Sequence, residues 1–457
     1  MIHRYTKNGL NFLLDVNSGA VHLLDDVSYA VSGLIGEDME ETCPEAVVSA
    51  LPGIAPEEVR AAWSELYALK AAGQLFASDD YLDVSKYVPV GAPVKALCLH
   101  VAHDCNLRCQ YCFASTGDFG TGRKIMPFEV AKKAIDFVLE RSGKRRNIEV
   151  DFFGGEPLMA WNTVTRTIEY ARSKEAEWGK NFRFTITTNG LLLDDEKIEY
   201  INKNMDNVVL SLDGRPSVND EMRKTVAGTG SYDIIVPRFQ KLVAARDPKK
   251  DYYARGTFTG KNLDFANDVL HIADAGFDRL SVEPVSAEDG CGYEITESDL
   301  DTIRKEYDRL AELMIERKKQ GKGFHFFHFM VDLNQGPCVI KRLRGCGAGY
   351  EYVAVTPEGD IYPCHQFVGR EEFRQGSVLD NSLNEEIAHT FARMNIYTRE
   401  KCHDCWARFY CSGGCSAANL NANNDMNVPY EMGCEMERHR LECAIYLKAV
   451  EALGLDK

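Results

Sequence analysis

Three closely spaced cysteines are the residues of this sequence with the clearest capacity for chemistry. Cys105, Cys109 and Cys112 lie in the string CNLRCQYC, a C-x3-C-x2-C run that follows an apolar stretch. Three thiolates at this spacing can hold three irons of a [4Fe–4S] cube and leave the fourth iron without a protein ligand. An iron with an open position can activate a small molecule, so the run predicts an enzyme that makes radicals. The alternative is a zinc site with His103 as its fourth ligand.

A repeat of strand, loop and helix must position these cysteines. From Val94 onward the pattern predicts six strands, at 95–102, 148–153, 182–188, 207–212, 252–259 and 279–285. Six strands that alternate with helices imply an α/β fold with a parallel sheet. Right-handed crossovers would curl this sheet into a partial (β/α)6 barrel over residues 94–325, similar to a TIM barrel. The site then lies at the carboxyl ends of the strands, where the three cysteines are.

Glycine-rich and polar strings end three of these predicted strands. GGEP follows the second strand at 154–157, TTNG ends the third at 187–190, and SLDG ends the fourth at 211–214. Glycines let the backbone approach a ligand closely, and the carboxylate of Glu156 suits an ammonium group. These strings therefore belong to the same site as the cysteines.

The first 85 residues predict a separate module. Two short strands flank a turn at 16–19, a helix follows, and an amphipathic helix begins at Pro56 and stops at Gly73. This order favours a winged-helix-like α+β module, joined to the barrel by a linker that contains prolines and a glycine.

Composition and charge narrow the function classes. The chain has 457 residues, 45% of them hydrophobic, and a formal net charge of -16 without a basic tract, which excludes nucleic acid as a partner. The first residues do not form a secretory signal, and no apolar run reaches the roughly 20 residues that span a bilayer. We therefore expect a cytoplasmic protein with no membrane partner. Fifteen cysteines in such a protein predict metal ligands rather than disulfides.

The string CNLRCQYC resembles the C-x3-C-x-Φ-C motif of the radical S-adenosylmethionine (SAM) enzymes, with Tyr111 at Φ. The resemblance implies that the open iron binds the amino and carboxylate groups of SAM and that an electron from the cluster cleaves SAM to a 5′-deoxyadenosyl radical. GGEP resembles the motif that contacts the SAM amino group. Ser211 and Arg223 resemble the pair that contacts its ribose and carboxylate. The residues assigned to SAM in this way are Tyr111, Gly154, Gly155, Glu156, Asn189, Ser211, Asp213 and Arg223.

The cysteines of the last third resemble the SPASM module. Cys346, Gly359 and Cys364 are followed by a C-x2-C-x5-C-x3-C run and then by Cys434. The resemblance implies a domain over 338–445 with two auxiliary [4Fe–4S] clusters, three clusters in all. By position, one auxiliary cluster is held by four cysteines and the other by three; these sets are Cys402, Cys405, Cys411 and Cys434, and Cys346, Cys364 and Cys415.

The three-cysteine set lacks a ligand. The complete form of the module carries an eighth cysteine shortly after the first, and none follows Cys346 at that place. Either Cys338 fills the position, or the iron stays open and can take a thiolate from the substrate. We favour the open iron. A zinc knuckle is the alternative for the C-x2-C-x5-C-x3-C run.

The three parts together resemble the maturases of ribosomally made peptides, and above all those of six-cysteine (SCIFF) peptides in the sactipeptide and ranthipeptide group. The resemblance implies intramolecular thioether crosslinks in a Cys-rich precursor peptide, whose leader the amino-terminal module binds as an added strand. An external one-electron reductant would be a second partner. The alternatives are an anaerobic sulfatase-maturating enzyme, which makes formylglycine, and a non-catalytic zinc scaffold that binds a peptide.

Overall fold

The computed structural model describes residues 1–86, 91–287, 290–333 and 339–456. They form two compact units. The first unit contains Met1–Tyr87, Phe329–Gly345 and Met394–Lys457, and the second contains Val88–His328 and Cys346–Arg393. The predicted domain limits 1–85, 94–325 and 338–445 stay predictions; the cysteine-rich segment is divided between the two units.

The strands and helices are numbered along the chain. The strands are β1 (Ile2–Lys7), β2 (Leu10–Asp15), β3 (Val21–Leu24), β4 (Ala96–His103), β5 (Leu107–Cys109), β6 (Lys124–Ile125), β7 (Asn147–Gly154), β8 (Asn181–Thr188), β9 (Asn207–Ser211), β10 (Arg223–Thr225), β11 (Asp251–Phe258), β12 (Arg279–Pro284), β13 (His325–Phe326), β14 (Tyr352–Val355), β15 (Asp360–Tyr362), β16 (Gly376–Ser377) and β17 (Ser382–Leu383). The helices are α1 (Asp26–Ser32), α2 (Glu45–Ala50), α3 (Pro56–Ala71), α4 (Tyr81–Ser85), α5 (Phe128–Arg141), α6 (Trp161–Trp178), α7 (Asp195–Asn204), α8 (Pro216–Met222), α9 (Tyr232–Ala244), α10 (Phe265–Asp274), α11 (Leu300–Lys319), α12 (Val339–Arg344), α13 (Glu385–Arg393), α14 (Arg408–Cys411), α15 (Ser416–Asn423) and α16 (Glu431–Ala452).

A large sheet forms the centre of the second unit. β4, β7, β8, β9, β11 and β12 lie side by side in chain order, each parallel to the next. They match the six predicted strands to within one residue at either end, so the α/β prediction is confirmed. β13 extends the sheet in parallel beyond β12, and β14 does so beyond β4. Since the two end strands pair with these additions, the sheet is open within the described residues.

The strands and helices of this unit follow from the spacing of their apolar residues. In β8, Phe182, Phe184 and Ile186 alternate with polar residues and are buried. In α5 the buried side chains recur at helical spacing on one face. The apolar side chains of the strands therefore pack against the helices. The polar side chains that alternate with them point to the other face of the sheet, where they can contribute to a site.

A three-stranded antiparallel sheet lies in the first unit, with β2 between β1 and β3. The predicted strand pair and turn are present as β2 and β3, and Gly19 in the turn has a φ of +74°. The sequence analysis missed β1, because IHRYTK has no apolar alternation. The helix predicted at Pro56 is α3, and its Trp63 is buried and donates a hydrogen bond to the carbonyl of Glu40 at 2.9 Å. Among the helices in the described residues, none is both long and apolar enough to cross a membrane.

Candidate functional site

The loop after β4 brings the three cysteines of CNLRCQYC to one cavity in the second unit, here called the cluster cavity. Cys105 follows the end of β4 and Cys109 ends β5, which pairs antiparallel with β10 so that Cys109 faces Arg223. The cavity is lined by Cys105, Leu107, Cys109, Tyr111, Cys112, Phe113, Ala114, Thr116, Gly117, Phe153, Gly154, Gly155, Glu156, Thr187, Thr188, Asn189, Ser211 and Arg223. All three cysteines and seven of the eight predicted SAM contacts therefore share one site.

The backbone conformation of Gly154 and the close packing of Gly155 explain the glycines of GGEP. Gly154 has a φ of +121°, a conformation that side chains disfavour. A Cβ on Gly155 would lie 2.1 Å from the carbonyl oxygen of Asp104, the residue before the first cysteine. The main chains also bond, since the amide of Gly155 donates to the carbonyl of Ala102 at 2.8 Å. The loop with the cysteines thus rests directly on the GGEP backbone.

Glu156 is held rigidly at the wall of the cluster cavity. Its buried carboxylate accepts hydrogen bonds from the amide of Leu158 at 3.0 Å, the hydroxyl of Thr188 at 2.8 Å and the amide of Asn189 at 2.8 Å. Two of these bonds go to one oxygen, which leaves Oε2 able to accept another donor. Burial raises the pKa of Glu156 to about 7, although the hydrogen bonds oppose this rise.

Asn189 connects the end of β8 to the cysteine loop. Its Nδ2 lies 3.6 Å from Sγ of Cys105 and donates a hydrogen bond to Oδ1 of Asn106 at 2.8 Å. Ser211, the last residue of β9, also lies at the cavity wall. The carboxyl ends of β8 and β9 therefore contribute to the site, as the barrel prediction requires.

The eighth predicted SAM contact, Asp213, occupies a different place. Its side chain is fully buried and is not among the described residues that line the cavity. It accepts the hydroxyl of Tyr111 on both oxygens, at 2.9 and 2.7 Å, and pairs with Nε of Arg223 at 3.1 Å. Burial alone would lower the pKa of Arg223, but Asp213 raises it well above its usual range.

The sequence analysis missed several cavity residues from the segment after the third cysteine. Gly117 has a φ of +106°, and a Cβ there would lie 2.7 Å from Cβ of Cys105. Thr116 is left-handed although it is not a glycine, with a φ of +64°. Phe113 adds an aromatic wall, with its ring centroid 6.5 Å from that of Phe153 in β7. The string FASTGDFGTG gives no period or motif that would have marked these residues.

A second group of cysteines lines a cavity in the first unit, here called the four-cysteine cavity. This cavity is lined by Cys402, Cys405, Cys411 and Cys434, together with Lys401, Ala407, Arg408, Gly413, Pro429, Glu431, Glu437 and Arg438. After Cys411 the chain turns through three left-handed residues, of which Ser412 has a φ of +61°. The predicted four-ligand set is thus brought together.

The remaining predicted ligands are divided between the units. Cys346 and Cys364 belong to the second unit and Cys415 to the first. Cys364 is buried, whereas Cys346 and Cys415 are exposed. Cys338, the possible fourth ligand, lies outside the described residues. None of the cysteines in the described part of the chain forms a disulfide.

Comparison with known protein families identifies two domains in this chain. Residues 99–252 match the radical SAM superfamily, and residues 346–406 match the SPASM iron–sulfur cluster-binding domain. The protein is a radical SAM enzyme with a SPASM domain. Its cofactors are accordingly SAM and [4Fe–4S] clusters, and the two auxiliary clusters fit the SPASM domain.

Relatives of this radical SAM enzyme include enzymes that are described with different activities. The radical SAM cyclopropyl synthase TigE of Paramaledivibacter caminithermalis is 25% identical over 72% of this chain and 70% of its own length. A cysteine-type anaerobic sulfatase-maturating enzyme of Clostridium perfringens is 24% identical over 77% of this chain and 96% of its own. The crystal structure of Streptococcus suis SuiB bound to precursor peptide SuiA has a TM-score of 0.53 and 18% identity, with 93% of this chain and 97% of that one covered. The last similarity shows a shared fold.

The donor sets of this radical SAM enzyme fit the clusters that its domains imply. Burial raises the pKa of Cys105 to about 12 and that of Cys109 to about 11, and burial likewise raises the pKa of Cys402 and Cys434 to about 11. Such thiols keep their protons at neutral pH unless a metal ion displaces them. Three thiols in one cavity and four in the other match an open and a closed cubane.

Replacing Gly155 by Ala should remove the first cluster while leaving the others. The new Cβ would collide with the carbonyl of Asp104 and push the cysteine loop away from its position. We expect the iron content after anaerobic reconstitution to fall by about four per chain. Gly53→Ala is the control, because a Cβ there meets nothing within 4 Å. Equal iron in both variants would contradict the prediction.

The affinity for SAM should rise with pH. The pKa of Glu156 is raised to about 7, so its carboxyl is largely neutral below that pH and becomes an anion above it. The anion attracts the amino group of SAM, the contact predicted for GGEP. Equilibrium dialysis from about pH 6 to about pH 8 should show tighter binding at the higher pH. The Glu156→Gln variant should show a flat profile; an unchanged pH dependence in that variant would contradict the assignment.

Proposed function

We propose that this radical SAM enzyme is a maturase that forms intramolecular thioether crosslinks in a Cys-rich, ribosomally made precursor peptide. The observation that carries the proposal is an open sheet edge on the amino-terminal module, in a chain that also holds a radical SAM site. Within the described residues, β3 pairs with β2 alone. An extended leader peptide can add to such an edge as a further strand.

On the opposite edge of the same sheet, side chains of β1 contact other residues of the first unit. The ring of His3 in β1 stacks on Trp406 with centroids 3.9 Å apart, and its Nε2 lies 2.9 Å from a carboxylate oxygen of Glu442. Tyr5 in the same strand bonds to the carbonyl of Glu442 at 3.4 Å. Because these contacts crowd the side chains of β1, we place the leader peptide at the edge of β3. Its Leu23 is 40% exposed and offers an apolar contact.

The reaction replaces one C–H and one S–H bond of the peptide by a C–S bond. Glu156, Arg223 and Tyr111 hold SAM at the cluster cavity. With SAM bound there, one electron from the cluster would cleave it to methionine and a 5′-deoxyadenosyl radical, which would take a hydrogen atom from an acceptor residue and become 5′-deoxyadenosine. The thiol would lose its proton to solvent, and the electron left over when the C–S bond forms would pass to an auxiliary cluster. The predicted ligand set Cys346, Cys364 and Cys415 has three thiolates, so an iron of that cluster would be open to a substrate thiolate, whose ionisation and position would both favour bond formation. An external one-electron reductant starts the turnover, and we place the reaction in the cytoplasm.

Mass spectrometry of the modified peptide tests the proposal. The anaerobically reconstituted enzyme is incubated with SAM, a chemical reductant and a short Cys-rich candidate precursor peptide. Each thioether should remove two hydrogens from the peptide and protect one cysteine from alkylation. Release of 5′-deoxyadenosine without this mass change would refute it. Loss of sulfur from the peptide would instead support formylglycine formation, the alternative function.

Leader recognition at the edge of β3 gives a further prediction. Leu23→Asp places a charge on the exposed apolar position of this strand. The dissociation constant of the peptide should rise about tenfold, because a lost apolar contact of this size costs about 1–2 kcal/mol of binding free energy. Fluorescence anisotropy of a labelled peptide measures the change. Leu453→Asp is the matched control, because Leu453 is also exposed and lies beyond the end of α16. Unchanged peptide binding by the Leu23→Asp variant would exclude β3 as the edge that binds the leader.

A further inference from the structure

We propose that Asp213 is a positioning residue, which fixes Tyr111 and Arg223 at the wall of the cluster cavity without contacting SAM itself. This role rests on the proposed function in one respect, that the cluster cavity binds SAM. It also goes beyond that function, because it divides the predicted SAM contacts into residues that touch SAM and one that acts through its neighbours.

The hydrogen bonds of Asp213 are already used within the protein. Oδ1 accepts the hydroxyl of Tyr111 at 2.9 Å and the amide of Thr257 at 3.1 Å, and pairs with Nε of Arg223 at 3.1 Å. Oδ2 accepts the same tyrosine hydroxyl at 2.7 Å. The side chain has no exposed surface. A carboxylate engaged and buried in this way holds protein groups rather than a ligand in the cavity.

These bonds join three segments of the chain. Tyr111 belongs to the cysteine loop, Arg223 begins β10, and Thr257 lies in β11. The loop and β10 are already in register, since Cys109 pairs with Arg223 and the amide of Gln110 donates to the carbonyl of Met222 at 2.9 Å. Asp213 thus ties the cysteine loop and β10 to the barrel strand behind them.

The ion pair is also oriented toward the cavity. Arg223 lines the cavity, whereas Asp213 does not. Its guanidinium carbon lies 5.7 Å from the centroid of the Tyr111 ring, which lines the cavity as well. The positive end of the pair therefore faces the space where the carboxylate of SAM is expected, and the negative end is enclosed by the protein. A fixed dipole of this kind binds an anion without rearrangement of the protein.

A double-mutant cycle on SAM binding separates positioning from direct contact. Tyr111→Phe removes only the hydroxyl that Asp213 accepts, and Asp213→Asn removes the charge. If Asp213 acts through Tyr111 and Arg223, each variant weakens SAM binding about tenfold, the usual effect of a lost hydrogen bond to a charged group. The dissociation constant of the double variant for SAM should then be no higher than that of the single variant that binds SAM less tightly, because both changes break the same contact. Dissociation constants are measured by the change that SAM causes in the electron paramagnetic resonance of the reduced cluster.

The outcomes are distinct. Effects that multiply in the double variant, or a Tyr111→Phe variant with the affinity of the parent, would overturn the positioning role; the second result is decisive even if Asp213→Asn does not fold. A parent protein that binds no SAM would overturn the proposed function together with this role. Asp264→Asn is the control, since Asp264 pairs with Arg215 at 2.7 Å away from the cavity lining and should leave SAM binding unchanged. Iron content should equal that of the parent in all variants, because every cysteine is retained.

Discussion

Replacing Cys105, Cys109 and Cys112 together by Ala should abolish the release of 5′-deoxyadenosine from SAM. The three thiols are the cysteines that line the cluster cavity, and no other side chain there can hold a cubane. We expect the iron content to fall from about twelve to about eight per chain, because the other two ligand sets are untouched. Anaerobic reconstitution, iron and sulfide analysis and chromatography of the SAM products measure both effects.

A matched variant controls for the loss of three thiols. Cys43, Cys291 and Cys443 belong to none of the predicted ligand sets, and their joint replacement by Ala should retain all the iron and the cleavage of SAM. Release of 5′-deoxyadenosine by the Cys105, Cys109 and Cys112 variant at the parent rate would exclude a radical SAM reaction at this site. Zinc in place of iron in the parent would favour the scaffold alternative.

Replacing Arg408 by Leu should have the largest effect on stability. Arg408 is 3% exposed, and its Nη2 donates to Oδ1 of Asn17 at 2.6 Å and to Oδ2 of Asp79 at 2.9 Å. Nη1 donates to the carbonyl of His403, between two of the cysteines of the four-cysteine cavity. Loss of one partner of a buried charge pair costs about 3–5 kcal/mol in the free energy of unfolding. Urea denaturation followed by tryptophan fluorescence measures the change.

The same substitution should also release iron from the four-cysteine cavity, because Arg408 lines it and orders the chain between Cys402 and Cys411. Arg60→Leu is the control: Arg60 pairs with Glu45 on the surface, where the side chains are 47% and 77% exposed. Its urea midpoint should match that of the parent. Equal midpoints for the two variants would show that the bonds of Arg408 are replaceable.

The strands of the second unit could be predicted closely because their pattern is local. In β8, apolar and polar residues alternate, and in β4 an apolar run ends at the loop with the cysteines. β1 could not be found in this way. Its side chains are polar or partly exposed, and its position depends on the backbone of β2 and on residues more than 400 positions away along the chain, such as Glu442.

The residues of the cluster cavity also differ in how far local sequence patterns predict them. The cysteines and GGEP could be recognised from their spacing, but the place of each side chain could not. Asp213 and Ser211 are two residues apart in one string, yet Ser211 lines the cavity and Asp213 lies behind it. Gly117 is required by contact with Cys105, a contact that spacing does not encode. Sequence patterns thus identify which cofactor a site can bind more readily than the position of each side chain around that cofactor.

The stacking of His3 on Trp406 has a consequence for biosynthesis. During synthesis β1 leaves the ribosome long before Trp406 and Glu442, which contact its His3. β1 therefore lacks these contacts until Trp406 and Glu442 have been translated, and in that interval an unprotected edge strand is prone to pair with other strands. A fragment limited to the first 85 residues would lack the same contacts, so studies of the isolated module should expect self-association at β1.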